Sequence, residues 1–259
     1  MRQIRRATVL RSNGVSETDQ LAAEEPLEIR IGNEAMSVTM RTPGHDLELV
    51  AGLLLTEGLM QPGLRPLLRQ DHPNTVNVAL SAVSDTSRLE SVRRASVVTS
   101  SCGICGKSSI ESVHQNFGPV HDDSTITRQA LHIMLQAFEE AQPVFARTGG
   151  VHAAAIFHTG GRLIAAREDI GRHNAVDKVI GHALLRGLLP LSGHVLLVSG
   201  RASFEIVQKA LGASIPIIAA VSAPSSLAVE LAASSGQTLV GFLRDDRCNV
   251  YSHPERLLI

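Results

Sequence analysis

The stretch GHVLLVSGRASFEIVQKALGASIPIIAAVSAPSSLAVELAASSGQTLVGFLRDDR, residues 193–247, decides the fold. Three apolar runs, His194–Ser199, Pro216–Val221 and Gln237–Leu243, alternate with two helical patterns, Ser203–Leu211 and Ser226–Ala233. Nearly continuous apolar strands joined by helices predict a parallel sheet covered on both faces. On the C-terminal side, Asn249–Tyr251 reads as a last short strand. On the N-terminal side, Val151–His158 and Arg162–Ala166 flank the turn Thr159-Gly160-Gly161 and predict an antiparallel hairpin. A polar loop, REDIGRHN (Arg167–Asn174), then leads into a helix from about Asn174 to Arg186. Thr127 is placed to cap a helix running through Glu140.

The pattern changes near Thr125. Upstream, the chain reads as irregular and strand-rich. Leu27–Ile31 and Met36–Met40 around Gly32-Asn33 predict a hairpin. Asp46 and Glu48 open a helix that carries Leu47, Val50, Leu53 and Leu54 on one face and ends at Gly58. Thr75–Leu80 and Ser96–Thr99 read as strands. The expected architecture is α/β: a mixed sheet covered by helices on both faces in residues 125–259. A smaller α+β subdomain fills residues 1–124.

Composition narrows the function. The 259 residues are 44% hydrophobic but only 3% aromatic, with no Trp, so the core is aliphatic and a base-stacking platform is not expected. Net charge is −1, so no global basic field calls for nucleic acid or an anionic membrane. Arg5-Arg6 is followed by polar sequence rather than an apolar run, so neither a twin-arginine nor a secretory signal is read. No apolar run reaches the length of a membrane span. A cytoplasmic protein is expected.

In an open α/β sheet, ligands gather beyond the carboxyl ends of the strands. Ser199-Gly200-Arg201, Ser222-Ala223-Pro224-Ser225-Ser226 and Phe242–Arg247 occupy three such ends. Free helix amides, hydroxyls and guanidinium forks suit phosphate or pyrophosphate. The plain alternative is ordinary capping by Ser203 and Ser226, with Arg201 and Arg244 solvated. No GxGxxG follows a strand and no Walker A sequence occurs. The loop around Gly171, with Arg172 and His173, reads either as a solvated turn or as the edge of a site. His152 reads either as a packed strand residue or as a ligand contact.

SSCGICGKSS, residues 100–109, carries two of the three cysteines. A structural zinc site needs four ligands, and only one CxxC exists; His114 and His121 fit no common finger spacing. A zinc deaminase needs H-x-E before its cysteines, but Ala153 and Ala154 follow His152, and the CxxC precedes it. A thioredoxin-like pair would sit after the first strand of its domain rather than mid-chain. A sulfur relay wants mobile, low-pKa thiols, which Gly103, Gly106 and Lys107 favour, as does a helix over Lys107–Gln115. The chemistry of the pair alone leaves these readings open, along with a glycine turn of no function.

Several segments together resemble the formate dehydrogenase accessory sulfurtransferase family (FdhD/NarQ). They are PGHDLELVAGLLLTEGL, TSSCGICGKSSIE, GGVHAAAIF, AREDIGRHNAVDKVIG, VSGRASFEIVQKA and IPIIAAVSAPSSLAVELA, in this order. The resemblance runs from about Arg41 to the C-terminus. It implies a larger domain similar to cytidine deaminase but without zinc chemistry, and a homodimer. It implies a sulfurtransferase that takes sulfur as a persulfide from a cysteine desulfurase. The sulfur passes to the molybdenum cofactor, bis-molybdopterin guanine dinucleotide, destined for formate dehydrogenase. Cys102 is then the expected persulfide residue and Cys105 its partner. Phe242, Leu243, Arg244, Asp245, Asp246 and Arg247 are the expected cofactor segment. Arg201, Ser203, Ser222, His152, Arg172 and His173 join it as anion-binding candidates. Cys248 is expected to be a substitution of small consequence. The rival reading is a non-catalytic carrier of the cofactor.

Overall fold

A computed structural model describes residues 3–32, 34–61, 63–83, 117–245 and 247–258. The expected strand Ser96–Thr99, the helix over Lys107–Gln115, both cysteines of the CxxC and Asp246 lie outside the described residues. The chain begins with β1 (Ile4–Leu10) and β2 (Ser16–Ala22), an antiparallel hairpin turning around Gly14. Then come β3 (Glu25–Ile31), β4 (Glu34–Arg41), α1 (Asp46–Thr56), β5 (Leu68–His72) and β6 (Thr75–Val78). These strands form a small sheet in the order β4-β3-β6-β5, which includes the expected hairpin.

The larger part follows with β7 (Ile126–Thr127), α2 (Arg128–Glu140), α3 (Pro143–Thr148), β8 (His152–His158), β9 (Leu163–Asp169) and α4 (Arg172–Arg186). After it come β10 (His194–Val198), α5 (Phe204–Gly212), β11 (Ile217–Ala220), α6 (Ser226–Ser234), β12 (Thr238–Arg244), β13 (Arg247–Ser252) and β14 (Leu257–Leu258). Among the described residues the main sheet has six strands, ordered β13-β12-β11-β10-β8-β9. β10, β11 and β12 are parallel; β8, β9 and β13 are antiparallel to their neighbours. The mixed sheet is as expected. As read, Thr127 caps α2, its hydroxyl accepting from Ala130 N at 3.1 Å.

Period-two burial separates the two faces of the sheet. Val195, Leu197 and Ile217 meet Leu131, Met134 and Phe138 of α2 on one face. Leu196, Val198 and Ile218 meet α4, α5 and α6 on the other. That second core is continuous through α1 into Leu27, Ile29 and Val76 of the small sheet. The link is a close crossing of α1 and α4 at two glycines. A Cβ on Gly52 would lie 1.9 Å from Asp177 O, and one on Gly181 would lie 1.8 Å from Glu48 O. Two buried ion pairs flank the crossing. Lys178 Nζ sits 2.6 Å from Asp169, and Lys209 Nζ donates to Asp177 at 2.8 Å and to Thr56 Oγ1 at 2.9 Å. Each of these four buried charges therefore has a partner of opposite sign.

Three boundaries differ from the sequence reading. β9 runs on to Asp169, and α4 begins at Arg172 rather than Asn174, so little of REDIGRHN is loop. Ser225, not Ser226, caps α6, accepting from Ala228 N at 3.3 Å. Ser203 stands at the cap position of α5, but its hydroxyl makes no capping bond.

Candidate functional site

The parallel ends of β10, β11 and β12 lie side by side, and the loops that leave them are stitched together. Ala202 bridges Pro224, and Ser225 N donates to Ala202 O at 3.0 Å. β8 runs against β10, so its first residues land beside the loop that leaves β10. Ala153 N donates to Ser199 Oγ at 2.9 Å, and Ser199 N donates back to Ala153 O at 3.0 Å. Gly200 leaves room there: a Cβ would lie 3.5 Å from His152 Nδ1 and 3.9 Å from Arg172 Cβ.

This junction gathers four of the expected residues: His152, Arg172, His173 and Ser203. His173 Nε2 faces Glu205 Oε2 at 3.6 Å. Arg172 Nε, His173 Nε2 and Ser203 Oγ are buried and have no hydrogen-bond partner. Buried polar atoms left unpaired are uncommon and call for an explanation, such as an ordered water, an ion or a catalytic role. The N-termini of α4 and α5 both open here, adding unpaired amides and positive dipole ends. Burial holds the His152 pKa below its ordinary value, reinforced by Arg172 and His173, so its ring is neutral at neutral pH. Burial disfavours the Glu205 anion, but the facing His173 and nearby Ser203 outweigh that and bring the carboxyl down to about 2.

The rest of REDIGRHN has structural work. Asp169 Oδ1 accepts from Gly171 N and Asn174 Nδ2, both at 2.9 Å, while Oδ2 holds Lys178. Glu168 accepts from Val144 N at 2.9 Å and Phe145 N at 2.7 Å, capping α3 from a distant strand. Arg167 grips Glu48 with both arms, at 2.6 and 2.8 Å.

Of the expected cofactor segment, Phe242, Leu243, Arg244, Asp245 and Arg247 lie at the turn end of the β12–β13 pair, one strand further along. A register shift between Gly241 and Arg244 leaves Phe242 44% exposed at φ 52°, a left-handed conformation rare for a bulky residue. Phe242 N donates to Ser222 O at 3.2 Å. Arg244 is not simply solvated; its guanidinium turns back to Val221 O and to Leu243 O. Leu243 is buried against the α2 side of the sheet, so its side chain belongs to the core. Asp245, Arg247 and Arg201 are exposed. Cys248 is half-buried, and burial pushes its thiol up, which disfavours the thiolate.

A cavity of about 670 Å³ opens beside this junction, between the sheet end and α2–α3. His152 and Ser199 line it together with Phe138, Phe145, Ile170 and Val221. Of these, only His152 was a sequence candidate. Ser199 sits in the quoted strand end, but Phe145 has no local signal, because α3 is short and its cap comes from Glu168.

The model of the FdhD/NarQ family matches residues 22–258. The sulfur carrier protein FdhD of Mycobacterium tuberculosis is 50% identical over 257 residues, covering 94% of this chain and 93% of that protein. The protein of the same name from Streptomyces coelicolor is 47% identical over 268 residues, covering 98% of this chain and 95% of its own length. A crystal structure from Desulfotalea psychrophila, assigned as a formate dehydrogenase accessory protein, matches with a TM-score of 0.79 and 26% identity. The match covers 98% of both chains.

Proposed function

The chain belongs to the FdhD/NarQ family, and from that membership we propose that it is a sulfurtransferase serving formate dehydrogenase. It works in the cytoplasm as a homodimer, with a cysteine desulfurase as donor. Bis-molybdopterin guanine dinucleotide is the substrate that receives the sulfur before the cofactor enters formate dehydrogenase. The observation that carries this reading is the near full-length identity to sulfur carrier proteins FdhD. The CxxC at Cys102 and Cys105 supports it chemically.

In the first step the Cys102 thiolate attacks the terminal sulfur of the donor's persulfide. The donor S–S bond breaks, the donor leaves as a thiolate, and Cys102 becomes a persulfide with no net oxidation. In the second, the Cys105 thiolate attacks the inner sulfur of Cys102. A disulfide forms and the outer sulfur leaves, reduced, as hydrosulfide for the metal. A thiol reductant then restores the pair. A pyrophosphate-bearing cofactor suits the cluster of Arg172, His173, Arg201 and Ser203, with Ser222 and the hairpin tip Phe242–Arg247 along the same edge.

Incubation with a cysteine desulfurase and cysteine should add sulfur to the peptide that holds Cys102 and Cys105, reversibly with reductant. Cys102→Ala should lose that gain and keep the wild-type melting curve. No gain in the wild type, with the cofactor still bound, would favour a plain cofactor carrier.

A further inference from the structure

Single exposed apolar side chains are ordinary on a protein surface, whereas a group of them marks a contact face. Four exposed leucines gather at the end of the molecule away from the anion cluster. They are Leu64, Leu67, Leu80 and Leu188, between 41% and 66% exposed. Leu64 and Leu67 sit on either side of the buried Pro66, which pins their segment to the body. Leu67 O accepts from Ala79 N at 3.0 Å, which sets Leu67 beside Leu80. Arg65 links Leu188 to the group: a Cβ on Gly187 would lie 2.7 Å from Arg65 Nη2. Arg186, on the other side of Gly187, is also exposed. Neither guanidinium has a hydrogen-bond or ion-pair partner among the described residues. The C-terminus of α4 supplies only about half a negative charge against these two cations. The leucines therefore carry an unbalanced positive rim.

Their place in the chain indicates what they meet. The described chain stops at Val83, directly after the single helical turn Leu80–Ala82, and resumes at Phe117. The Phe117 ring packs on Gly212, where a Cβ would lie 3.0 Å from its Cζ. The neighbouring Ala213 O accepts from Leu191 N at 3.0 Å. Both flanks of the segment that carries Cys102 and Cys105 thus run close to the leucines. Leu188 leads into the first residue of β10, while Arg172, His173 and Ser203 lie past its last. A protein that delivers sulfur needs the cysteines and not the cofactor. An enzyme that receives the cofactor needs the other end. We infer that Leu64, Leu67, Leu80 and Leu188, rimmed by Arg65 and Arg186, are the surface on which the sulfur donor docks. The donor then offers an apolar patch edged with carboxylates. The inference rests on the proposed transfer from a cysteine desulfurase and adds the surface and the chemistry of that encounter. The leucines take no part in the bond changes; they hold the donor's persulfide near the cysteines.

The test measures sulfur loading of the full chain by intact mass from two sources. One is a cysteine desulfurase with cysteine; the other is glutathione persulfide, which needs no docking. Leu67→Asp, Leu188→Asp and Arg65→Glu are compared with wild type and with Leu10→Asp, an exposed leucine on β1 outside the patch. Each is checked by its melting curve and by sedimentation. All four side chains are exposed, so wild-type melting is expected. Leu67→Asp and Leu188→Asp should raise the KM for loading by the desulfurase about tenfold or more, the scale of an interface hot spot, with the maximum rate little changed. Arg65→Glu should act in the same direction at low salt and less at high salt. Leu10→Asp, and every variant with glutathione persulfide, should match wild type. Unchanged desulfurase kinetics in both leucine variants would overturn the inference alone. An equal loss with both sources would also overturn it, by moving the effect to the cysteine segment. A dimer that falls apart in Leu67→Asp would overturn it as well and make the patch a contact between two copies. A wild type that glutathione persulfide loads and the desulfurase does not would overturn the proposed donor, and the inference with it.

Discussion

Glu205 and His173 face each other at 3.6 Å beneath the junction of β8 and β10. The fold holds Glu205 near 2, against an ordinary carboxyl value of 4.5. A folded value below the unfolded one means that the anion stabilises the native state. That contribution is complete above about pH 4.5 and drains away as pH falls toward 2. Glu205→Gln should therefore cost about 1–3 kcal/mol at pH 5 and above, the shift of its carboxyl from 4.5 to about 2 converted at about 1.4 kcal/mol per unit and reduced for its partial exposure. The gap to wild type should close toward pH 2, as followed by urea unfolding across that window. At this scale the sequence was informative about residue type and uninformative about partners. His152, Arg172, His173 and Ser203 could be picked as polar residues near strand ends. Glu205 could not, because its place opposite His173 depends on two helices meeting. Arg244 reads in the sequence as part of the cofactor segment or, in the plain alternative, as a solvated cation; in the structure one nitrogen of its guanidinium donates to the backbone carbonyls of Val221 and Leu243.

Among the elements, apolar continuity made β10, β11 and β12 readable, because a strand buried on both faces has no polar positions to disguise it. The last residues of β9 were hidden for the opposite reason. Arg167, Glu168 and Asp169 look like a loop until their partners on α1, α3 and α4 are seen. α3 was missed because six residues carry little periodicity and Glu168 caps it from far along the chain. The close pairing of α1 and α4 was likewise silent, since Gly52 and Gly181 resemble any helix glycine. Gly52→Ala should nevertheless cost at least about 3 kcal/mol, despite the better helix propensity of alanine, because backbone rather than a side-chain end blocks the methyl group. A Gly52→Ala protein that unfolds at the wild-type urea midpoint would contradict the crossing.

At the scale of the molecule, the two sheets share one continuous core through α1 and α4. The change of sequence pattern near Thr125 marks where the layout changes, and the core passes across it. Urea unfolding should accordingly be one transition. Hydrogen exchange of β3 and β6 should report the same unfolding free energy as β10 and β11. Earlier exchange confined to the small sheet would show that the shared core does not couple them. Among the described residues no helix is long and apolar enough to cross a membrane.

Glu168 and Asp169 are neighbours on β9, yet one caps α3 on the cavity side and the other anchors α4 behind the anion cluster. Successive strand residues point to opposite faces, so the two walls of the site hang from a single peptide unit. This makes the chain unequally tolerant of changes in length. Residues added at the turn Thr159-Gly160-Gly161 would leave both carboxylates where they are. One residue inserted between Ala165 and Glu168 would exchange their faces, uncapping α3 and stranding Lys178 together, whereas two residues would restore the faces. Length variation in this hairpin should therefore collect at its turn and stop short of its final residues.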